Sequence, residues 1–183
     1  MEQKGISVRF ATFASQTIAF ETGGDKAGAY HLDPKDKGGE TKWGISKKAH
    51  PNENIKALTY NDALRIYQAQ YWNDLYDYID DEKLAFKVYD MGVVSGVKRA
   101  VTILQKSLKN LGVTIAVDGA FGPMTLIAIQ VVESTTDNER LYNEYINNYT
   151  KFYKGISLFG NKKFLQGWLR RLNWKWGGDN KQW

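Results

Sequence analysis

Apolar residues along the chain recur at helical spacing far more often than they alternate, and glycine clusters punctuate the repeats. From Ser7 to Phe20, residues Val8, Phe10, Phe13, Ala14, Thr17 and Ile18 fall near one stripe, which predicts an amphipathic helix. Glu21-Thr22-Gly23-Gly24 ends it, because paired glycines stop a helix. Asp25 to Lys42 is rich in glycine and charge and predicts a long loop or a short irregular β-ribbon. Thr59-Tyr60-Asn61-Asp62 has a capping-box-like start, followed by Leu64, Tyr67, Tyr71 and Leu75 at helical spacing. A third helix is expected from Glu82 to Asp90, with a break near Gly92 and Gly96. A fourth carries Val97, Ala100, Val101, Leu104 and Leu108 on one face and ends at Leu111-Gly112. Ala116 to Pro123 is turn-rich, and Pro123 suits the first position of a short helix reaching Val132. Two more amphipathic helices are expected, Asn138 to Lys154 and Lys162 to Trp174, before a loosely ordered tail from Trp176 to Trp183. Alternating strands are scarce, so the expected class is mainly α. A subdomain boundary is expected near Ser95–Lys98, without linker composition, so the two halves are expected to pack together.

Composition narrows the classes. With 183 residues, 43% hydrophobic and 25% charged, the chain is one ordinary domain or two small ones, not a disordered polymer. Aromatics reach 14%, and such rings serve either a core or a cleft that stacks against sugars. The net charge of +5 favours polyanions, including the acidic polymers of a bacterial wall. The cations are scattered in pairs such as Lys47-Lys48 and Lys98-Arg99, with no arginine-rich run or zinc-finger spacing, so nucleic acid is not the expected partner. The absence of cysteine excludes disulfides, thiolate metal sites and cysteine nucleophiles. The N-terminal stretch lacks an uninterrupted apolar core and a cleavage site, and no segment reaches the ~18 apolar residues of a membrane span. The expectation is a protein made in the cytoplasm without a classical signal peptide and without stable membrane insertion. Work outside the cytoplasm then needs a holin or a secretion system.

The chemistry concentrates in Phe20 to Ser46. A glutamate stands at a helix end, and the glycine-rich loop after it carries Asp25, Asp33, Asp36, Glu40 and Thr41. Glycoside hydrolysis needs one protonated carboxylic acid beside the leaving oxygen and usually a second carboxylate across the sugar. A glutamate partly buried at the mouth of an apolar helix holds its proton more tightly than carboxylates on a solvated loop, which splits the two roles. A surface loop with no catalytic role has a similar composition. Competing chemistries are weaker. Asp33-Pro-Lys-Asp-Lys-Gly38 loosely resembles a calcium loop, but Lys35 and Lys37 stand where oxygen ligands are needed. His31 and His50 lack metal-ligand spacing, and there is no G-x-S-x-G elbow and no phosphate or dinucleotide fingerprint.

The ordered run Glu21, Gly28-Ala29-Tyr30, Asp33-Pro34, Asp36, Gly38-Gly39-Glu40-Thr41-Lys42-Trp43-Gly44-Ile45-Ser46 resembles the N-acetylmuramidases of glycoside hydrolase family 108, some once labelled secretion activator proteins. Leu58-Thr59, Tyr67 and Tyr71-Trp72 continue the likeness, as do Phe86 and Asp90 to Gly96. Val117-Asp118-Gly119, Phe121-Gly122-Pro123, Thr125 and Phe164-Leu165-x-Gly167-Trp168-x-x-Arg171 resemble the family's companion peptidoglycan-binding region. Two departures stand out: about six extra residues separate Glu21 from Tyr30, a length a surface loop absorbs at modest entropic cost, and Val94 replaces a common asparagine.

The resemblance implies a lysozyme-like helical fold with a glycine-rich active-site loop or ribbon. It places a catalytic domain at 1–96 and a helical peptidoglycan-binding-like subdomain at 97–183. The implied activity cuts the β-1,4 bond between N-acetylmuramic acid and N-acetylglucosamine without metal or cofactor. Glu21 falls on the family's catalytic glutamate, and analogy with phage-type lysozymes makes Asp36 the second carboxylate, with Asp33 or Asp25 as alternatives, and Thr41 the water-positioning hydroxyl. Tyr30 and Trp43 line the sugar cleft or pack, Asp33 also contacts substrate, and Ser95 supplies the polar contact missing at Val94. The alternative readings are a lytic transglycosylase on the same bond and a non-catalytic wall-binding or secretion-associated module. Oligomeric state is not fixed by the sequence.

Overall fold

The computed structural model describes residues 5–24, 28, 30–32, 39–135 and 138–178. They form two compact units, Met1–Trp72 and Asn73–Trp183. None of the described helices is long and apolar enough to cross a membrane.

In the first unit, α1 (Val8–Glu21) is capped by Ser7, whose hydroxyl accepts the Phe10 N–H at 3.1 Å. Phe10, Phe13, Ala14, Thr17 and Ile18 are buried as the periodicity predicts. Val8 is not; it lies about two and a half turns from Thr17, on the opposite face, and is 84% exposed. The hairpin β1 (Thr41–Lys42) and β2 (Ile45–Ser46) pairs Thr41 with Ser46 and Lys42 with Ile45. A 3₁₀ turn (Ile55–Ala57) leads to α2 (Tyr60–Tyr71), where both arms of the Thr59–Asp62 capping box are present. Those two bonds to Thr59 hold the Asp62 carboxyl below the usual carboxylate range. Trp72 closes the unit against the rings of Phe10 and Phe13, at 5.2 and 6.2 Å.

The second unit opens with a 3₁₀ turn, Asp74–Tyr78, and here the sequence expectation fails: Leu75 does not extend α2. Asn73 takes the Leu75 N–H on its side-chain oxygen at 2.9 Å and donates to the Phe121 carbonyl, a local alternative to continuing the helix. Then come α3 (Glu82–Ser95), α4 (Val97–Asn110), α5 (Pro123–Thr135), α6 (Asn138–Ile156) and α7 (Lys162–Asn173), with Ser157–Asn161 as a kinked corner before α7. The expected break near Gly92 is absent. Gly92 is buried inside α3 with Val97 packed over it, and the chain turns only at Gly96, with φ of 90°. Every residue from Leu84 to Gly92 is buried, so α3 is the central helix of its unit.

Its polar members are paired. Arg171 grips both Asp90 oxygens at 2.9 and 3.2 Å, and Lys87 donates to the Arg171 carbonyl at 2.9 Å. Tyr145, Tyr149 and Tyr153 fill the groove side of α6, and Tyr153 stacks on Trp168 of α7. Trp174 and Trp176 pack on Phe86, so the segment expected to loosen at Trp176 is still anchored there. The Asp118-Gly119 turn is clamped by Gln105, which exchanges bonds with Asp118 and the Gly119 N–H at 2.8 Å each. Any side chain at Gly119 would strike Lys98 and Thr102 of α4.

Candidate active site

Glu21 is the last residue of α1, and its position is fixed by the backbone that follows. Gly24 N–H reaches the Ala19 carbonyl at 2.8 Å and Gly23 N–H the Phe20 carbonyl at 3.4 Å, with Gly23 at φ 62°. This paired closure is a Schellman motif, which needs the left-handed conformation glycine adopts without strain. Thr22 adds its hydroxyl to the Ile18 carbonyl at 3.0 Å. The Glu21 side chain is exposed. This corrects the expectation of partial burial: residues on the buried stripe end at Ile18, and Glu21 leaves the helix on the solvent side.

Against Glu21 stands the hairpin turn Trp43-Gly44. Both residues have positive φ, 55° and 78°, between strand partners Lys42 and Ile45, which defines a two-residue type I′ turn. A Cβ on Gly44 would lie 2.7 Å from Glu21 Cβ, 3.0 Å from its Cγ and 2.6 Å from the Tyr67 hydroxyl oxygen. Tyr67 donates that hydroxyl to the Trp43 carbonyl at 3.2 Å, which ties the turn to α2. Tyr71, one turn further along α2, has its phenol pushed above its usual range, first by burial and then by the Glu21 charge. Tyr67 and Tyr71 were legible only as helix residues; their one-turn spacing on α2 was the signal that both face the same side.

Trp43 is buried. Its indole N–H points at the Leu58 carbonyl, its ring meets Tyr60 edge-on at 5.2 Å, and Gly28 packs so tightly on it that no side chain fits at residue 28. Thr41 sits in the middle of a three-segment ribbon: its backbone N–H and C=O both bond His31 at 2.9 Å, and Ser46 lies opposite on β2. The ribbon expected from the glycine-rich segment is therefore present at residues 31 and 41–46. Tyr30 is half-buried; its hydroxyl is raised above the usual phenol range by desolvation, then by the charge and hydrogen bond of Glu40. Lys56 lies 5.9 Å from its ring centre. Asp25, Asp33 and Asp36 lie outside the described residues. Ser95 belongs to the second unit, at the end of α3, where its hydroxyl bonds the Met91 carbonyl and the Tyr149 hydroxyl at 2.9 and 2.8 Å.

Ser95 also borders a groove of about 640 Å³ along α4, lined by Lys98, Arg99, Thr102 and Lys106 together with Asn148 and Phe152 of α6. Arg99 lies over the Phe152 ring at 4.7 Å. No carboxylate lines the groove among the described residues.

A glutamate at a helix end, set against a glycine turn in a mainly α, lysozyme-like fold, defines the class as a glycoside hydrolase. Residues 17–96 match the family model of Glycosyl hydrolase 108, and residues 99–173 match that of the Predicted Peptidoglycan domain. The chain belongs to glycosyl hydrolase family 108 and carries the peptidoglycan domain as its C-terminal region. Among solved structures, SagA from Brucella abortus is similar, with a TM-score of 0.66 and 28% identity over 89% of this chain and 88% of that one. No curated protein matches the chain. The hydrolase match runs through α3, so the end of that match, Ser95 included, packs inside the second compact unit.

Proposed function

We propose that the protein is an N-acetylmuramidase that cleaves the β-1,4 bond between N-acetylmuramic acid and N-acetylglucosamine, with Glu21 as the general acid. The observation that carries this reading is the seat of Glu21 on Gly44: a solvent-facing carboxyl held at a helix end by two glycine-dependent turns, one after it and one beneath it. A general acid must meet the leaving oxygen at hydrogen-bond distance, which demands this kind of fixed but accessible placement.

In the proposed reaction Glu21 protonates the glycosidic oxygen as the C–O bond breaks. An ionised carboxylate on the loop after Gly24, Asp36 by preference with Asp33 or Asp25 as alternatives, faces the oxocarbenium-like sugar. The Thr41 hydroxyl orients the attacking water. Tyr30 and Asp33 contact the sugar, and Trp43 sets the hairpin that carries Gly44. Residues 1–96 then supply the chemistry, with Ser95 as a polar contact, and residues 97–183 hold the wall. The cation-lined groove along α4 suits the free carboxylates of peptidoglycan stem peptides. The site of action is the cell wall.

The test is turbidity loss of purified peptidoglycan by wild type and Glu21→Gln, with the fragments read by mass spectrometry. Glutamine keeps the shape but delivers no proton. Clearing with reducing N-acetylmuramic acid ends, lost in the variant, is the expected result. Anhydro ends would replace the muramidase by a lytic transglycosylase, and equal clearing by both proteins would remove Glu21 from catalysis. No clearing by either, with wall binding retained, would leave a binding module.

A further inference from the structure

The corner between α6 and α7 does not fit a surface that meets only water. Leu158 is 73% exposed and Phe159 86%, side by side at the apex, and Phe164 on the first turn of α7 is 48% exposed. Gly160, at φ 96°, makes the turn that throws the two apex side chains outward. The apolar strip continues inward through Phe164 and Trp168, whose rings stack at 5.9 Å. Contiguous exposed apolar surface of this kind marks a docking site.

The charge around it identifies the partner. From Tyr145 to Gly178 the sequence holds seven Lys and Arg and no Asp or Glu. Lys154, Lys162 and Lys163 are exposed and flank the apex, with Lys163 lying 4.8 Å from the centre of the Phe164 ring. A second copy docking through the same patch would press these like charges together, which disfavours self-association. A glycan strand offers no apolar medium for Leu158. An anionic bilayer offers both an apolar interior for Leu158 and Phe159 and phosphates for the lysine rim.

We propose that the α6–α7 corner is a peripheral docking surface for anionic lipid bilayers, with Leu158 and Phe159 entering the headgroup boundary and Lys154, Lys162 and Lys163 engaging lipid phosphates. This role is separate from wall hydrolysis and does not depend on it.

The experiment is co-sedimentation of the full chain with vesicles of phosphatidylcholine alone or mixed with phosphatidylglycerol. The expected result is binding to the mixed vesicles only, released by raised salt as screening predicts. The double variant Leu158→Asp/Phe159→Asp loses at least about tenfold in bound fraction, and Lys162→Glu/Lys163→Glu loses a comparable amount, since each removes one of the two attractions. Both keep the wild-type melting transition and wild-type clearing of purified peptidoglycan. The proposal is overturned by absent vesicle binding, or by binding that survives both variants. It is also overturned if the apex variant abolishes a dimer seen by light scattering, or weakens binding to wall sacculi, while vesicle binding stays unchanged.

Discussion

Gly44 and Glu21 occupy one another's space: the hydrogen that serves as the Gly44 side chain faces Glu21, and a methyl group there would stand 2.7 Å from Glu21 Cβ. The same methyl would stand 2.6 Å from the Tyr67 hydroxyl oxygen, whose bond to the Trp43 carbonyl holds the turn. The acid's position is thus set by a contact that tolerates no side chain.

Gly44→Ala is therefore expected to damage activity more than stability. Left-handed backbone costs an alanine roughly 1–2 kcal/mol, and relief of the clash must move Glu21, Tyr67 or the turn. A displacement of about 1 Å is enough to cost about a hundredfold in rate. Gly112→Ala is the control, with φ of 93° and nothing within 4 Å of its added carbon. Melting curves and clearing rates of both variants separate the effects: comparable destabilisation in each, with lost clearing only at Gly44. Full clearing by a folded Gly44→Ala protein would detach this contact from catalysis.

Tyr71 reports on Glu21 without any substrate. Its phenol is raised by burial and, second, by the negative charge of Glu21. Glu21→Gln removes the charge and keeps the burial, so the Tyr71 midpoint is expected to fall without reaching the value of a free phenol. Ultraviolet difference titration, with Tyr71→Phe subtracted in each background, isolates this one tyrosine. An unchanged midpoint would mean that the two groups do not sense each other in solution.

Much of the framework was legible in the sequence because local rules decide it. Ser7, the Thr59–Asp62 box, Pro123 and the glycine pair after Glu21 all mark helix ends, and each does so in the structure. The failures have tertiary causes. Gly92 reads as a breaker, yet it passes through α3 because Val97 needs the space a side chain would fill. Leu75 fits the α2 repeat, but Asn73 captures its N–H. Within the site, Glu21 stood out by its place before two glycines. Tyr67 and Tyr71 did not, since their helical spacing says nothing about which partner their face meets. Trp43 read equally as a sugar platform or as packing, and only burial against Tyr60 and Gly28 shows that its ring is enclosed. No local preference announces a tryptophan at φ 55°; the turn is held by strand pairing and by Tyr67.

Lys87 gives the second unit a distinctive pH dependence. Burial lowers its pKa to about 8 from the usual 10.5; the Asp90 charge opposes the shift and Arg171 adds to it. Between these two values the folded chain holds fewer protons at Lys87 than the unfolded chain, so stability rises with pH across that window. Below pH 8 the fold carries the full cost of the buried ammonium, on the order of 3 kcal/mol at most. The buried tyrosines act in the opposite sense at higher pH. Tyr142 and Tyr149 are pushed up to about 12, so above the usual phenol value of 10 the unfolded chain loses protons first and stability falls. Denaturant unfolding is therefore expected to show stability increasing from pH 8 to about pH 10 and declining beyond it. Lys87→Met leaves the Asp90–Arg171 pair intact and electrically neutral. It is expected to raise stability at pH 7 and to flatten the rise, at the loss of one hydrogen bond to the Arg171 carbonyl, worth about 1 kcal/mol. A wild-type profile that is flat from pH 8 to 10, or a Lys87→Met profile that keeps the same rise, would show that the ammonium is not buried in its charged form.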